Sequence, residues 1–128
     1  MIPTLDEFII AEWPDHSYVD EEGFDSLYVR KGPKYINVDG KMKWFEDVFQ
    51  IANVTSSNPG NGAFARLIAK LEEKWSGPIF VESVLAERFA SYLLKIGFTP
   101  VNTDENWGGF VHHFVKLRWL CLDKWKTN

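Results

Sequence analysis

Asp39-Gly40 stands between two strand-forming runs, Tyr35–Val38 before it and Lys41–Phe45 after it. A two-residue Asp-Gly loop readily takes the positive φ angles whose twist matches the strands it joins, so this stretch predicts an antiparallel hairpin. Ser26–Lys31 and Phe45–Thr55 extend the strand-forming sequence on either side. Downstream the period changes. Phe64, Leu67, Ile68, Leu71 and Trp75 recur at helical spacing until Gly77-Pro78 stops them. Ile79–Val84 reads as a buried strand, and Ala86–Ile96 as a second helix with Phe89, Tyr92, Leu93 and Ile96 inward. Gly97 falls where a left-handed C-terminal cap belongs. Phe98–Val101 and Phe110–Cys121 are strand-like, with the polar loop Asn102–Gly109 between them. At the other end, Thr4-Leu5-Asp6-Glu7 has the spacing of a capping box and predicts a helix over 5–13, stopped by Pro14. Residues 15–25 read as a polar, acidic loop. The order predicts an α/β fold with a mixed sheet, as one domain spanning 1–128.

Composition narrows the function. A chain of 128 residues, 45% hydrophobic and 16% aromatic, has ample material for a core. Its net charge of −4 has the wrong sign for coating nucleic acid, so no nucleic-acid partner is expected. The run Asp20-Glu21-Glu22 reads as a solvated loop. The single cysteine, Cys121, cannot form an internal disulfide, which suits a cytoplasmic protein. No apolar run approaches about 18 residues and no signal-peptide layout opens the chain, so no membrane association is expected. His112 and His113 would point to opposite faces of a strand and His16 is remote in sequence, so no metal is expected. Trp107, Trp119 and Trp125 suit the core first, or else a homodimer surface or a substrate wall.

The stretch TSSNPGNGAFARLIAKLEEKW, Thr55 to Trp75, places a glycine turn at the start of a helix, where backbone N–H groups can seat an anion. A nucleotide P-loop needs G-x-x-x-x-G-K-[ST], and Gly60-Asn61-Gly62-Ala63 has neither that spacing nor the lysine. A dinucleotide turn fares better, because Gly60-x-Gly62-x-x-Ala65 satisfies G-x-G-x-x-A and Glu82 follows Gly62 by 82 − 62 = 20 residues. Its context disagrees. Thr55–Pro59 separates the strand from the first glycine, and too little chain follows Glu82 for the second half of a doubly wound sheet.

Strand, polar loop, glycine turn and helix together resemble the pyrophosphate loop of the GNAT superfamily of acyl-CoA N-acyltransferases, with its pattern [QR]-x-x-G-x-[GA]. VESVLAERFASYLLKIGF, Val81 to Phe98, resembles the family's next strand and helix, ending in Lys95-Ile96-Gly97-Phe98. LYVRKGPKYINVDGKMKWFEDVFQIANVT resembles the hairpin lead-in of a compact phage and bacterial branch. The resemblance covers about residues 27–101. In one register Pro59 takes the [QR] position, Gly62 the glycine and Phe64 the [GA] position; a register from Ser57 to Gly62 satisfies both glycines with a shorter loop. Either way a basic or amide first residue is missing. The family tyrosine position falls at 97 − 4 = 93, a leucine, with Tyr92 one residue away.

The resemblance implies a mixed, mostly antiparallel sheet flanked by helices, and acetyl-CoA as acyl donor. It implies a cofactor arm lying along Ala52, Asn53 and Val54 as an added strand, and a pyrophosphate on the backbone of Gly60, Asn61, Gly62, Ala63 and Phe64. It also implies direct transfer to the amine of a small molecule or protein, which needs no covalent nucleophile. The amine must lose a proton, so a base is required. Glu46 and Glu82 are the candidates, because a carboxylate partly desolvated at either place has a raised pKa; Glu82 could equally be a structural carboxylate paired with Arg88. Tyr92 is the candidate acid, and core is its other role. The alternative function is a non-catalytic GNAT-fold interaction module or CoA sensor.

Overall fold

The computed structural model describes residues 2–38, 40–57, 60–84, 87–101 and 112–117. The Asn102–Gly109 loop, Trp107, Trp119 and Trp125, and most of the Phe110–Cys121 run lie outside the described residues. Three helices and six strands follow in the order α1 (Leu5–Ile10), β1 (His16–Tyr18), β2 (Phe24–Val38), β3 (Lys41–Ser56), α2 (Ala63–Lys74), β4 (Ile79–Val84), α3 (Glu87–Lys95), β5 (Thr99–Val101) and β6 (His112–Lys116). The strands form one mixed sheet in the order β1-β2-β3-β4-β6-β5. Only β3 and β4 run parallel, as the helical crossover between them requires.

The local signals act as the sequence predicts. Thr4 and Glu7 close the capping box in both directions, at 3.0 and 3.1 Å. Val38 and Lys41 pair across the Asp-Gly turn, with Gly40 at φ +82°. Gly97, at φ +101°, ends α3 in a Schellman arrangement: its N–H bonds to the Leu94 carbonyl and the Phe98 N–H to the Leu93 carbonyl.

Four expectations change. Helix α1 stops at Ile10 rather than residue 13, because Pro14 disfavours a helical Trp13 and the Lys31 ammonium takes the carbonyls of Phe8 and Ala11. That ammonium leaves water to do so, and desolvation lowers its pKa. The 15–25 loop contains β1, which pairs with the free edge of β2 through His16↔Arg30 and Tyr18↔Tyr28. The separate strand-forming runs Ser26–Lys31 and Tyr35–Val38 join through a register shift between Gly32 and Lys34, so β2 and β3 are long and continuous. The acidic run is not wholly solvated either: Glu21 accepts two hydrogen bonds from Lys70 of α2.

The sheet has two unequal faces. Leu5 and Phe8 of α1, Leu67, Ile68 and Leu71 of α2, and Leu93 of α3 all pack on Val29, Phe49, Ile51, Ile79, Val81 and Phe114. The three helices therefore share one face. On the other, Ile36 and Val48 of the hairpin meet Phe80, Val101 and Val115, and the far part of β2 comes back against β5. Among the described residues no helix covers this second cluster.

Candidate functional site

Beyond Ile51 the parallel ladder ends. Its registered pairs are Phe49↔Ile79, Gln50↔Phe80 and Ile51↔Val81, while β3 runs on to Ser56 beside β2 alone. Ala52, Asn53 and Val54 thus lie where β3 has left β4, and among the described residues no strand pairs with that edge of their backbone. The glycine turn follows directly. Gly60 has φ +87°, and Gly62 has φ +76° and ψ 10°, a left-handed conformation that a residue with a Cβ resists. Gly62 is the N-cap of α2, with no side-chain cap and no acidic residue in the first turn. The first intrahelical bond joins the Arg66 N–H to the Gly62 carbonyl at 3.1 Å. The N–H groups of Ala63, Phe64 and Ala65 precede it and stay outside the helical ladder.

Two neighbours fix the turn. Gly23, at φ +96°, lies so close to the helix start that a Cβ there would come within 2.7 Å of Ala63 Cβ. Its carbonyl accepts the Ser57 N–H at 2.9 Å, and Ser57 Oγ donates to Asp25 at 2.8 Å. Arg66 folds back from the helix, and its guanidinium donates to the Asn61 carbonyl at 3.0 Å. A cation near the positive end of a helix works against the macrodipole and is favourable there only beside an anion. Arg66 thus supplies a basic group where the turn's first position carries none. Sequence reasoning missed it, because a cation four residues past Gly62 does not by itself say that its side chain turns back over the helix start.

The other candidates divide. Phe64 has its backbone in the first turn of α2, but its ring packs on Phe89 at 4.9 Å and on Tyr92 at 6.2 Å. Tyr92 is half-buried in this aromatic seam. Glu46 is exposed on the far half of β3. It lies six residues before Ala52, or about 20 Å at strand rise. Glu82 is one residue past the last parallel pair, on the helix-free face, so the structure separates the two carboxylates. Glu82's ion-pair partner is Arg30 of β2, at 2.6 Å, and not the Arg88 that sequence proximity suggested. A guanidinium two strands away can reach it only by crossing β3 at the level of Gln50 and Ala52. Gln50, the cross-strand partner of Arg30, is the one buried polar side chain among the described residues. Beside them the Tyr28 hydroxyl meets His16 Nδ1 at 3.0 Å. Arg30 stands over the Tyr28 ring, 5.5 Å from its centre.

His113 stacks on Phe80, and no group of three or more His, Cys, Asp or Glu among the described residues is placed to hold a metal ion. No helix among them is long and apolar enough to cross a membrane. No family model, no curated protein and no solved structure matches the chain.

Proposed function

We propose that the protein is an acetyl-CoA-dependent N-acyltransferase of GNAT type. The observation that carries this reading is the succession of a strand edge released from its parallel neighbour, a doubly left-handed glycine turn, and an uncapped helix start overhung by Arg66. An acyl-CoA has matching parts in the same order. Its pantetheine amides suit the edge at Ala52–Val54, and its pyrophosphate suits the N–H groups of Ala63, Phe64 and Ala65 with the Arg66 charge. Gly60 and Gly62 keep the turn free of side chains, and a Cβ at Gly60 would meet nothing within 4 Å. The mixed, mostly antiparallel sheet is of the kind that the resemblance implies.

The thioester then lies near the divergence of β3 and β4, at the level of Glu82. The acceptor amine gives its proton to the Glu82 carboxylate and attacks the thioester carbonyl. A C–N bond forms, the C–S bond breaks, and the second proton lost by the acylated nitrogen passes through water to the departing thiolate. Arg30 keeps Glu82 oriented and shares its charge. Glu46 is too far away for this role, and Tyr92 is held by its ring contacts. Isothermal titration calorimetry with acetyl-CoA and CoA tests the binding step, with Gly62→Val as control. Wild type binds at micromolar concentration and the variant does not, while keeping its fold. Absence of heat with both ligands but binding of NAD would replace this reading with a dinucleotide site. Consumption of acetyl-CoA with an amine panel separates an enzyme from a CoA-sensing or interaction module of the same fold.

A further inference from the structure

Gln50 lies on the helix-free face, between Arg30 on β2 and Phe80 on β4, and is only 8% exposed. Among the described residues nothing hydrogen-bonds its side-chain amide. A buried amide with two donors and an acceptor unmet costs stability that an apolar side chain of the same size would not. Its cross-strand neighbour Arg30 is a second group with capacity to spare. Arg30 gives one N–H to Glu82 Oε1, and its guanidinium, 44% exposed, keeps further donors in a planar fork suited to a carboxylate. Glu82, with a side chain 20% exposed, keeps its second oxygen. An ion-paired cation and anion thus stand on the strands either side of Gln50, whose amide can serve either charge.

We propose that this cluster binds the acceptor, and that the acceptor is a free α-amino acid; this rests on the acyl-transfer reading above. The α-carboxylate takes the outward donors of Arg30, and the α-ammonium takes the free oxygen of Glu82. The Gln50 amide completes the set by accepting from the ammonium or donating to the carboxylate. The Tyr28 ring beneath Arg30, 5.5 Å from the guanidinium carbon, restrains that cation. The amine is then already on the carboxylate that receives its proton, and the product is an N-acyl amino acid whose nitrogen is no longer basic.

Thermal shift and calorimetry with alanine, glutamate and phenylalanine test this without acetyl-CoA present. At least one free amino acid raises the unfolding midpoint, while its methyl ester and its N-acetyl derivative bind about tenfold more weakly or worse, each having lost one charged contact. Gln50→Leu leaves the ligand-free midpoint unchanged or higher and weakens amino-acid binding about tenfold. Arg30→Lys keeps the charge, loses the fork and weakens binding similarly. Equal binding of acid and ester, no binding of any free amino acid at millimolar concentration, or a lowered ligand-free midpoint in Gln50→Leu overturns the proposal. Amino-acid binding without acetyl-CoA binding would keep this site and remove the acyl-transfer reading; acetyl-CoA binding without amino-acid binding would do the reverse.

Discussion

Replacing Arg66 with glutamate should move stability and ligand affinity in opposite directions. In the free protein the guanidinium stands at the positive end of α2, with a single exposed hydrogen bond, 3.0 Å from the Asn61 carbonyl. Removing a misplaced cation and adding a favourable anion are each worth about 0.3–1 kcal/mol near a helix N-terminus. The lost hydrogen bond returns roughly 0.5 kcal/mol, the low end for an intramolecular bond. The net is a gain of about 0–1.5 kcal/mol, or a few degrees in the midpoint for a domain of this size. Binding goes the other way. A charge-assisted bond to the pyrophosphate, worth roughly 1.5–3 kcal/mol, becomes a repulsion, so acetyl-CoA affinity falls by about tenfold to a hundredfold or more. Differential scanning calorimetry and titration calorimetry on the same samples read both effects, and the wild-type affinity alone should weaken steeply with salt. An Arg66→Glu protein that binds acetyl-CoA as wild type does would remove Arg66 from the seat, and one that unfolds several degrees lower would show its cation to be a structural element.

Gly77→Ala should lower stability by about 3 kcal/mol or more, because a Cβ there would lie 1.8 Å from the Asp47 carbonyl oxygen and force the α2–β4 connection off β3; urea unfolding measures it. If acyl transfer occurs, Glu82→Gln should cost roughly 10²–10⁴ in kcat/KM, while Glu46→Gln stays near wild type. Both variants behaving alike would contradict the separation of the two carboxylates. Asp6 and Glu7 both have pKa values below the ordinary carboxylate range, Asp6 through its bond from Lys74 and Glu7 through the Thr4 backbone N–H. Their contribution to stability is present above the unfolded-state values near 4 and is lost as the pH falls through the lowered folded values. The Asp6→Asn/Glu7→Gln double variant should therefore show a flatter fall of the midpoint on acidification, measured by circular dichroism melts.

What could be read directly was whatever a few adjacent residues determine. The capping box, the Asp-Gly hairpin, the Gly97 cap and the apolar stripe of α2 are such features, and each is present. Strand β1 escaped notice because His-Ser-Tyr has little strand character of its own and forms only against the edge that β2 provides. The last turn of α1 was lost to Lys31, twenty residues downstream of Ala11. Within the site, the glycine turn was visible and its guanidinium was not, since nothing local says that Arg66 folds backward. Arg30 and Glu82 are 52 residues apart, and only sheet order brings them together. Gln50 did carry a signal, as a lone amide in the apolar run Val48-Phe49-Gln50-Ile51, but a strand pattern alone does not say which face is covered by helices.

The short parallel contact between β3 and β4 has a mechanical meaning. The antiparallel ladder between β2 and β3 runs from Phe24 to Val38, whereas the junction to β4 rests on Phe49–Ile51 against Ile79–Val81. Among the described residues, the strand pairing that joins the N-terminal meander to the C-terminal strands of the sheet passes through that narrow seam. Under tension between the two halves the sheet would part there before either half unravelled, with the two apolar clusters and the Arg30–Glu82 pair as the remaining adhesive. A molecule lying along the released edge of β3 would act as a splint across the seam, and the force needed to part the halves would record its presence.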